Sequence, residues 1–176
     1  MTVQIWMRMA GAVCTVAGAS GLGFWMAGQY GRRLEELLRL RQMIVLLKGQ
    51  ILYANATLAE AFSEVGGRTE GALSELFQGA ARQMSSQDGK LFGEIWKSQV
   101  EACRNPVLTK SDMQELAGLG AHLGYMDREM QERTLLFYLE QLDLTIDMLR
   151  QQKQERCRMY SSLGVMGGLF LTILLI

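Results

Sequence analysis

The sequence predicts an all-α protein: a six-helix cytoplasmic bundle carried by an N-terminal and a C-terminal transmembrane helix. Three observations predict it. Two uncharged apolar stretches, residues 9–28 and 159–176, bracket the chain, and every acidic residue lies between them. In the middle, apolar residues recur three and four apart, the spacing of a helix with one buried face. Leu, Glu, Gln, Arg, Met and Ala dominate there and favour helix, whereas Pro106 is the one proline and strand-like alternation is hard to find.

Each apolar stretch is about long enough to cross a bilayer core of roughly 30 Å at roughly 1.5 Å per helical residue. Ala17-Gly18-Ala19 could pass for a cleavage site, but charge placement argues for an uncleaved anchor. Arg32, Arg33, Arg39, Arg41 and Lys48 follow the first stretch closely, and Lys153, Arg156 and Arg158 precede the second. By the positive-inside rule the middle, residues 30–158, is cytoplasmic and both termini lie on the opposite side. Ala19, Gly23 and Ala27 share one helix face, and Gly164 and Gly168 form a G-x-x-x-G pair. Small residues at this spacing let membrane helices pack closely, so these five are the candidate transmembrane packing residues.

The first bundle helix should carry Leu37, Leu40, Ile44, Leu47, Ile51 and Ala54 inward, with a break near residues 55–57. Thr57 and Glu60 have capping-box spacing, with Asn55 as a rival cap. Leu58, Ala61, Phe62 and Val65 then face one way until Gly66-Gly67. Thr69 is expected to open a third helix, with Leu73, Leu76, Phe77, Ala80 and Met84 inward. The run 85–89 connects it to a fourth, which holds Leu91, Ile95, Trp96 and Val100 and ends before Asn105-Pro106. Ser111 with Gln114 has capping-box spacing for a fifth, whose apolar face is Met113, Leu116, Ala117, Gly120 and Leu123. Gly124 is read as its left-handed stop. Asp127 begins the last helix, lined by Leu135, Leu139, Leu142, Ile146 and Leu149, and nothing breaks it before the second stretch.

Composition excludes several functions. The chain has 18 Lys plus Arg and 18 Asp plus Glu, a poor balance for a nucleic-acid binder. Its three cysteines, Cys14, Cys103 and Cys157, form no C-x-x-C pair, and their odd number argues against a disulfide framework. His122 is the lone histidine, so neither a metal site nor any other cofactor is expected, and no partner constellation makes it a base. No P-loop, H-E-x-x-H, G-x-S-x-G or kinase signature occurs. The glycines at 118, 120 and 124 lie inside a helical pattern with no preceding strand, so they serve helix packing and not a nucleotide. Trp6, Trp25 and Tyr30 flank the first stretch as an interfacial aromatic belt would.

In five places the residues resemble the stage III sporulation protein AB family. Gly28-Gln29-Tyr30 with Arg33 and Leu34 is similar to the family's exit from its first anchor, and Leu46-Leu47, Ile51, Tyr53 and Leu58 to its first bundle helix and turn. Trp96 resembles the tryptophan of the fourth helix. Leu116, Leu119-Gly120, Leu123-Gly124, Asp127 and Gln131 resemble the motif at the fifth-to-sixth helix turn, and residues 163–168 with the terminal Leu-Ile run resemble the C-terminal anchor. The chain departs from the pattern at Lys48 and Gln50, where the family tends to acidic residues, and at Thr57, where proline is common. The resemblance implies a bundle like that of the F-type platform proteins of type II secretion and type IV pilus systems. It implies a sporulation role in the mother-cell membrane around the forespore, within the sporulation channel complex. The implied partners are a cytoplasmic secretion ATPase, stage III sporulation protein AA, and the other subunits of that complex.

The function expected is therefore that of a non-enzymatic membrane platform subunit, coupling a secretion-type ATPase to the membrane assembly, with no nucleic-acid partner. Its candidate partner-contact residues are Asp112, Asp127 and Gln131, although helix capping and first-turn polarity explain the last two better than direct contact does. The alternative is a small membrane-bound helical sensor or regulator, which would need a ligand pocket or an external sensing segment. A membrane enzyme ranks last, because the apolar stretches hold no Asp, Glu, His, Lys or Arg.

Overall fold

The computed structural model describes residues 31–54, 56–86, 89–124 and 127–175, and within them all side chains but those of 122, 128 and 153–175. Among these residues the chain forms six helices and no strand. Helix α1 covers residues 31–52. It is followed by α2 (Leu58–Gly67), α3 (Ala72–Ser85), α4 (Phe92–Ala102), α5 (Lys110–Leu123) and α6 (Arg128–Leu175). The all-α reading holds. Residues 9–28, including Ala19, Gly23 and Ala27, lie outside the described residues. Residues 159–175 are helical as the last part of α6, while their side chains lie outside the description, as do contacts of Gly164 and Gly168. Among the described residues no helix is long and apolar enough to cross a membrane.

The chain divides into two units: Glu35–Asp147, and a second made of both ends, Met1–Leu34 with Met148–Ile176. The core belongs to the first. On α1, Leu37, Leu40, Ile44, Leu47 and Ile51 are buried as their spacing requires, joined by Met43. Each such side chain contributes roughly 1.5–3 kcal/mol by leaving water. Ala54 is exposed, because the helix has already ended at residue 52. At the next helix start Thr57 and Glu60 form the expected capping box: Thr57 N–H donates to Glu60 Oε2 at 2.9 Å, and Glu60 N–H to Thr57 Oγ1 at 3.3 Å.

Helices α2 and α3 pack against each other, as do α3 and α4, and α4 and α5. The α2–α3 crossing is close at Gly66, where an added Cβ would stand 2.8 Å from Gln78 Cγ. The Gly66 carbonyl accepts from Ser74 Oγ (2.6 Å) and Gln78 Nε2 (3.0 Å), so both polar side chains are satisfied at the crossing. Helix α3 starts at Ala72 and not at Thr69. The reason is Gly71, whose φ of 99° suits a residue without a Cβ. The Thr69 hydroxyl instead lies 3.6 Å from Met43 Sδ on α1.

An aromatic cluster fills the space between α2, α3 and α4. Phe62 lies 5.0 Å from Phe77 and 5.2 Å from Trp96, and Phe77 lies 5.3 Å from Trp96, centroid to centroid. Such pairs add about 0.5–1.5 kcal/mol each beyond their buried area. Phe92 joins the cluster against Phe62 and Trp96. Leu91, expected inward, is 48% exposed, because it occupies the cap position and α4 begins with Phe92.

The ends of this unit's helices are tied by polar contacts. Asn105 Nδ2 donates to Glu36 Oε1 at 2.8 Å, holding the α4–α5 loop to α1. Arg41 on α1 grips Asp143 on α6 through both Nε and Nη2, the latter at 3.1 Å from Oδ2.

Candidate partner surface at the turn between α5 and α6

Asp112, Asp127 and Gln131 do not form one surface. Helix α5 is capped by Thr109 and Asp112, not by Ser111 and Gln114. Thr109 N–H donates to Asp112 Oδ2 at 2.8 Å, and Asp112 N–H donates back to Thr109 Oγ1 at 3.3 Å. Ahead of this cap, Asn105 Oδ1 accepts from Val107 N–H (3.0 Å) and Leu108 N–H (3.3 Å), folding the segment after Asn105 into a turn. A carboxylate in a helix's first turn also suits the helix dipole. Asp112 is only 5% exposed, so it is a buried cap and not the surface residue its sequence position suggested.

Helix α5 is held against α4 by two glycines. A Cβ at Gly120 would stand 2.0 Å from Trp96 Cδ1, and one at Gly124 would stand 2.9 Å from Phe92 Cβ. Gly118 has nothing within 4 Å. The indole Nε1 of Trp96 donates to the Leu116 carbonyl at 2.7 Å, which fixes the ring against the glycine. Gly124 is right-handed (φ −80°, ψ −18°), which corrects the expected left-handed stop: its lack of a side chain serves close approach.

At the start of α6 the exposed Asp127 accepts the Met130 N–H at Oδ1, 3.0 Å, as a helix cap. Half-buried Gln131 reaches back to donate Nε2 to the Leu123 carbonyl at 2.9 Å, satisfying an acceptor at the end of α5. Both residues therefore build the turn. Of the three candidates, Asp127 alone presents an exposed carboxylate.

Burial raises the Cys103 thiol above its ordinary pKa, with Glu75 and Glu36 adding to the effect. Burial also holds the Tyr138 phenol far above its usual range, reinforced by Glu115 and Asp112. Glu60 is lowered by the two hydrogen bonds from Thr57. Among the described residues no group of three or more His, Cys, Asp and Glu is placed to hold a metal.

Sequence reasoning missed a second apolar row on α6. Met130, Leu136, Phe137 and Leu144 are exposed although large and apolar. Leu136, Phe137 and Leu144 fall between the buried positions of the same helix, and Met130 precedes them. For Met130, Phe137 and Leu144 the signal is a seven-residue repeat, which Leu136 does not share.

Comparison with known proteins places this architecture. The family described as stage III sporulation protein AB matches residues 8–176. The chain is 27% identical over 172 residues to "Stage III sporulation protein AB" of Bacillus subtilis (strain 168), covering 96% of this chain and 99% of that one. A solved structure, "Stage III sporulation protein AB (SpoIIIAB)", is similar in fold with a TM-score of 0.62 at 20% identity, covering 70% of this chain and 98% of its own.

Proposed function

The chain belongs to the stage III sporulation protein AB family, and we propose that it acts as a non-enzymatic platform subunit that couples a cytoplasmic secretion ATPase to a membrane assembly. The observation that carries this reading is α6. One uninterrupted helix of 48 residues runs from the turn capped by Asp127 to Leu175, through the apolar stretch at 159–175. An unbroken helix offers a push on the bundle a continuous path along the chain toward the apolar stretch.

Residues 9–28 and 159–176 supply two membrane anchors in this reading, and the basic residues beside them set the bundle in the cytoplasm. The membrane is that of the mother cell around the forespore. The motor is a secretion-type ATPase, stage III sporulation protein AA, and the remaining partners are the other subunits of the sporulation channel complex. Packed glycine contacts and an aromatic core support the role of a rigid body, because close-packed interiors transmit displacement.

The reading is tested by co-purification. Full-length chain extracted in detergent should retain a secretion-type ATPase, and deletion should abolish spores. A chain that binds no such motor but changes its helicity with a metabolite would instead be a membrane-bound sensor.

A further inference from the structure

The neutral total hides two opposite charges. Of the 18 Lys and Arg and 18 Asp and Glu, the unit Glu35–Asp147 holds eleven cations and seventeen carboxylates. The unit made of both ends holds the other seven cations and a single carboxylate, Glu155. One of the seven, Arg8, precedes the first apolar stretch. The other six, Arg32, Arg33, Arg150, Lys153, Arg156 and Arg158, lie between the two stretches in the chain. They come from segments far apart in sequence that share one compact unit. Arg33 and Arg150 have interactions of their own. Arg32 is exposed in the first turn of α1, and residues 153–158 belong to the part of α6 that continues into the second stretch. At about 1.5 Å per helical residue Lys153 lies about 9 Å along the axis from Met159, and Arg158 directly precedes it. That is within about one Debye length in 0.1 M salt, roughly 10 Å.

We propose that Arg32, Lys153, Arg156 and Arg158 bind the headgroups of anionic phospholipid, a step that rests on the membrane anchorage proposed above. Lys and Arg beside a membrane segment are attracted to anionic headgroups, and the attraction accumulates over the cations. Orientation in the membrane requires only the cations, because Asp and Glu contribute little to it. Carboxylates mixed among them would leave the orientation unchanged but would cancel the attraction to a negative surface. The scarcity of carboxylates in this unit, beside their excess in Glu35–Asp147, is therefore what selects an anionic lipid surface. The same surface repels the negatively charged bundle unit and keeps it off the bilayer.

The experiment reconstitutes the full-length chain in phosphatidylcholine bilayers. It reads, by electron spin resonance, the fraction of spin-labelled phosphatidylglycerol or spin-labelled phosphatidylcholine whose motion the protein restricts. Phosphatidylglycerol is expected to associate at least about threefold more strongly at low salt. The preference should fade between about 10 mM and about 1 M salt. The variant Arg32→Gln, Lys153→Gln, Arg156→Gln, Arg158→Gln should lose it. Removing as many exposed cations from the bundle, by Arg82→Gln, Lys90→Gln, Lys97→Gln, Arg104→Gln, should keep it. Equal association of the two lipids with the parent chain would overturn the proposal, as would a preference indifferent to salt. So would a preference that survives the first variant or is lost in the second. Inorganic phosphate should compete no better than chloride at equal ionic strength; stronger competition would assign the cations to a soluble phosphate instead. Restricted lipid without preference sinks this proposal alone, whereas no restricted component from either lipid would sink the anchorage with it.

Discussion

Gly120 and Trp96 meet with no room for a methyl group: a Cβ on Gly120 would stand 2.0 Å from Cδ1 of the indole. The ring cannot withdraw, since Nε1 is held by the Leu116 carbonyl and its faces lie in the aromatic cluster. Gly120→Ala should therefore destabilise the bundle by about 1–3 kcal/mol through overpacking. Gly118→Ala, on the open side of the same helix, should be neutral or stabilising by up to about 1 kcal/mol. Urea unfolding followed by circular dichroism separates the two.

Asp127 and Gln131 have structural work at the α5–α6 turn, and substitution can show whether they also touch a partner. Asp127→Ala removes the bond to Met130 N–H and should cost about 1 kcal/mol, most of which Asp127→Asn should spare. Gln131→Ala leaves the Leu123 carbonyl without its partner and should cost about 1 kcal/mol. If these residues only build the turn, Asp127→Asn restores any binding to the proposed ATPase together with stability. If Asp127 meets the partner through its charge, Asn restores stability alone.

The α2 cap gives a pH dependence with a definite sign. Hydrogen bonds from Thr57 lower the Glu60 pKa below its ordinary 4.5. The stabilisation it gives is therefore full above that ordinary value and is lost as pH falls through the lowered one. Denaturation midpoints measured from pH 6 downward should show an acid-side loss that Glu60→Gln and Thr57→Ala both flatten.

The Arg41–Asp143 pair should matter little to stability. Its side chains are 41% and 44% exposed, so a double-mutant cycle with alanine should give a coupling below about 1 kcal/mol, smaller still at high salt.

The buried faces of the helices were legible in the sequence because helical burial repeats every three to four residues. Leu37, Leu40, Ile44, Leu47 and Ile51 on α1, and Leu135, Leu139, Leu142 and Ile146 on α6, are buried as that period requires. Helix starts were less legible where two caps compete. Thr109–Asp112 and Ser111–Gln114 both fit the capping box, and the turn built on Asn105 precedes the earlier frame. At α3 a positive φ at Gly71 outweighed the capping residue Thr69. Close approaches leave no trace in spacing: Gly124 reads as a helix stop, yet its role depends on Phe92, far away in sequence. The partner candidates suffered for the same reason, since the burial of Asp112 is a tertiary fact.

The central claim is that both ends of the chain anchor a rigid bundle in lipid. It is tested most directly by extracting membranes from sporulating cells that express the full-length protein. The protein should stay with the membrane through high salt and alkaline carbonate and be released only by detergent. Release by high salt alone would contradict the account.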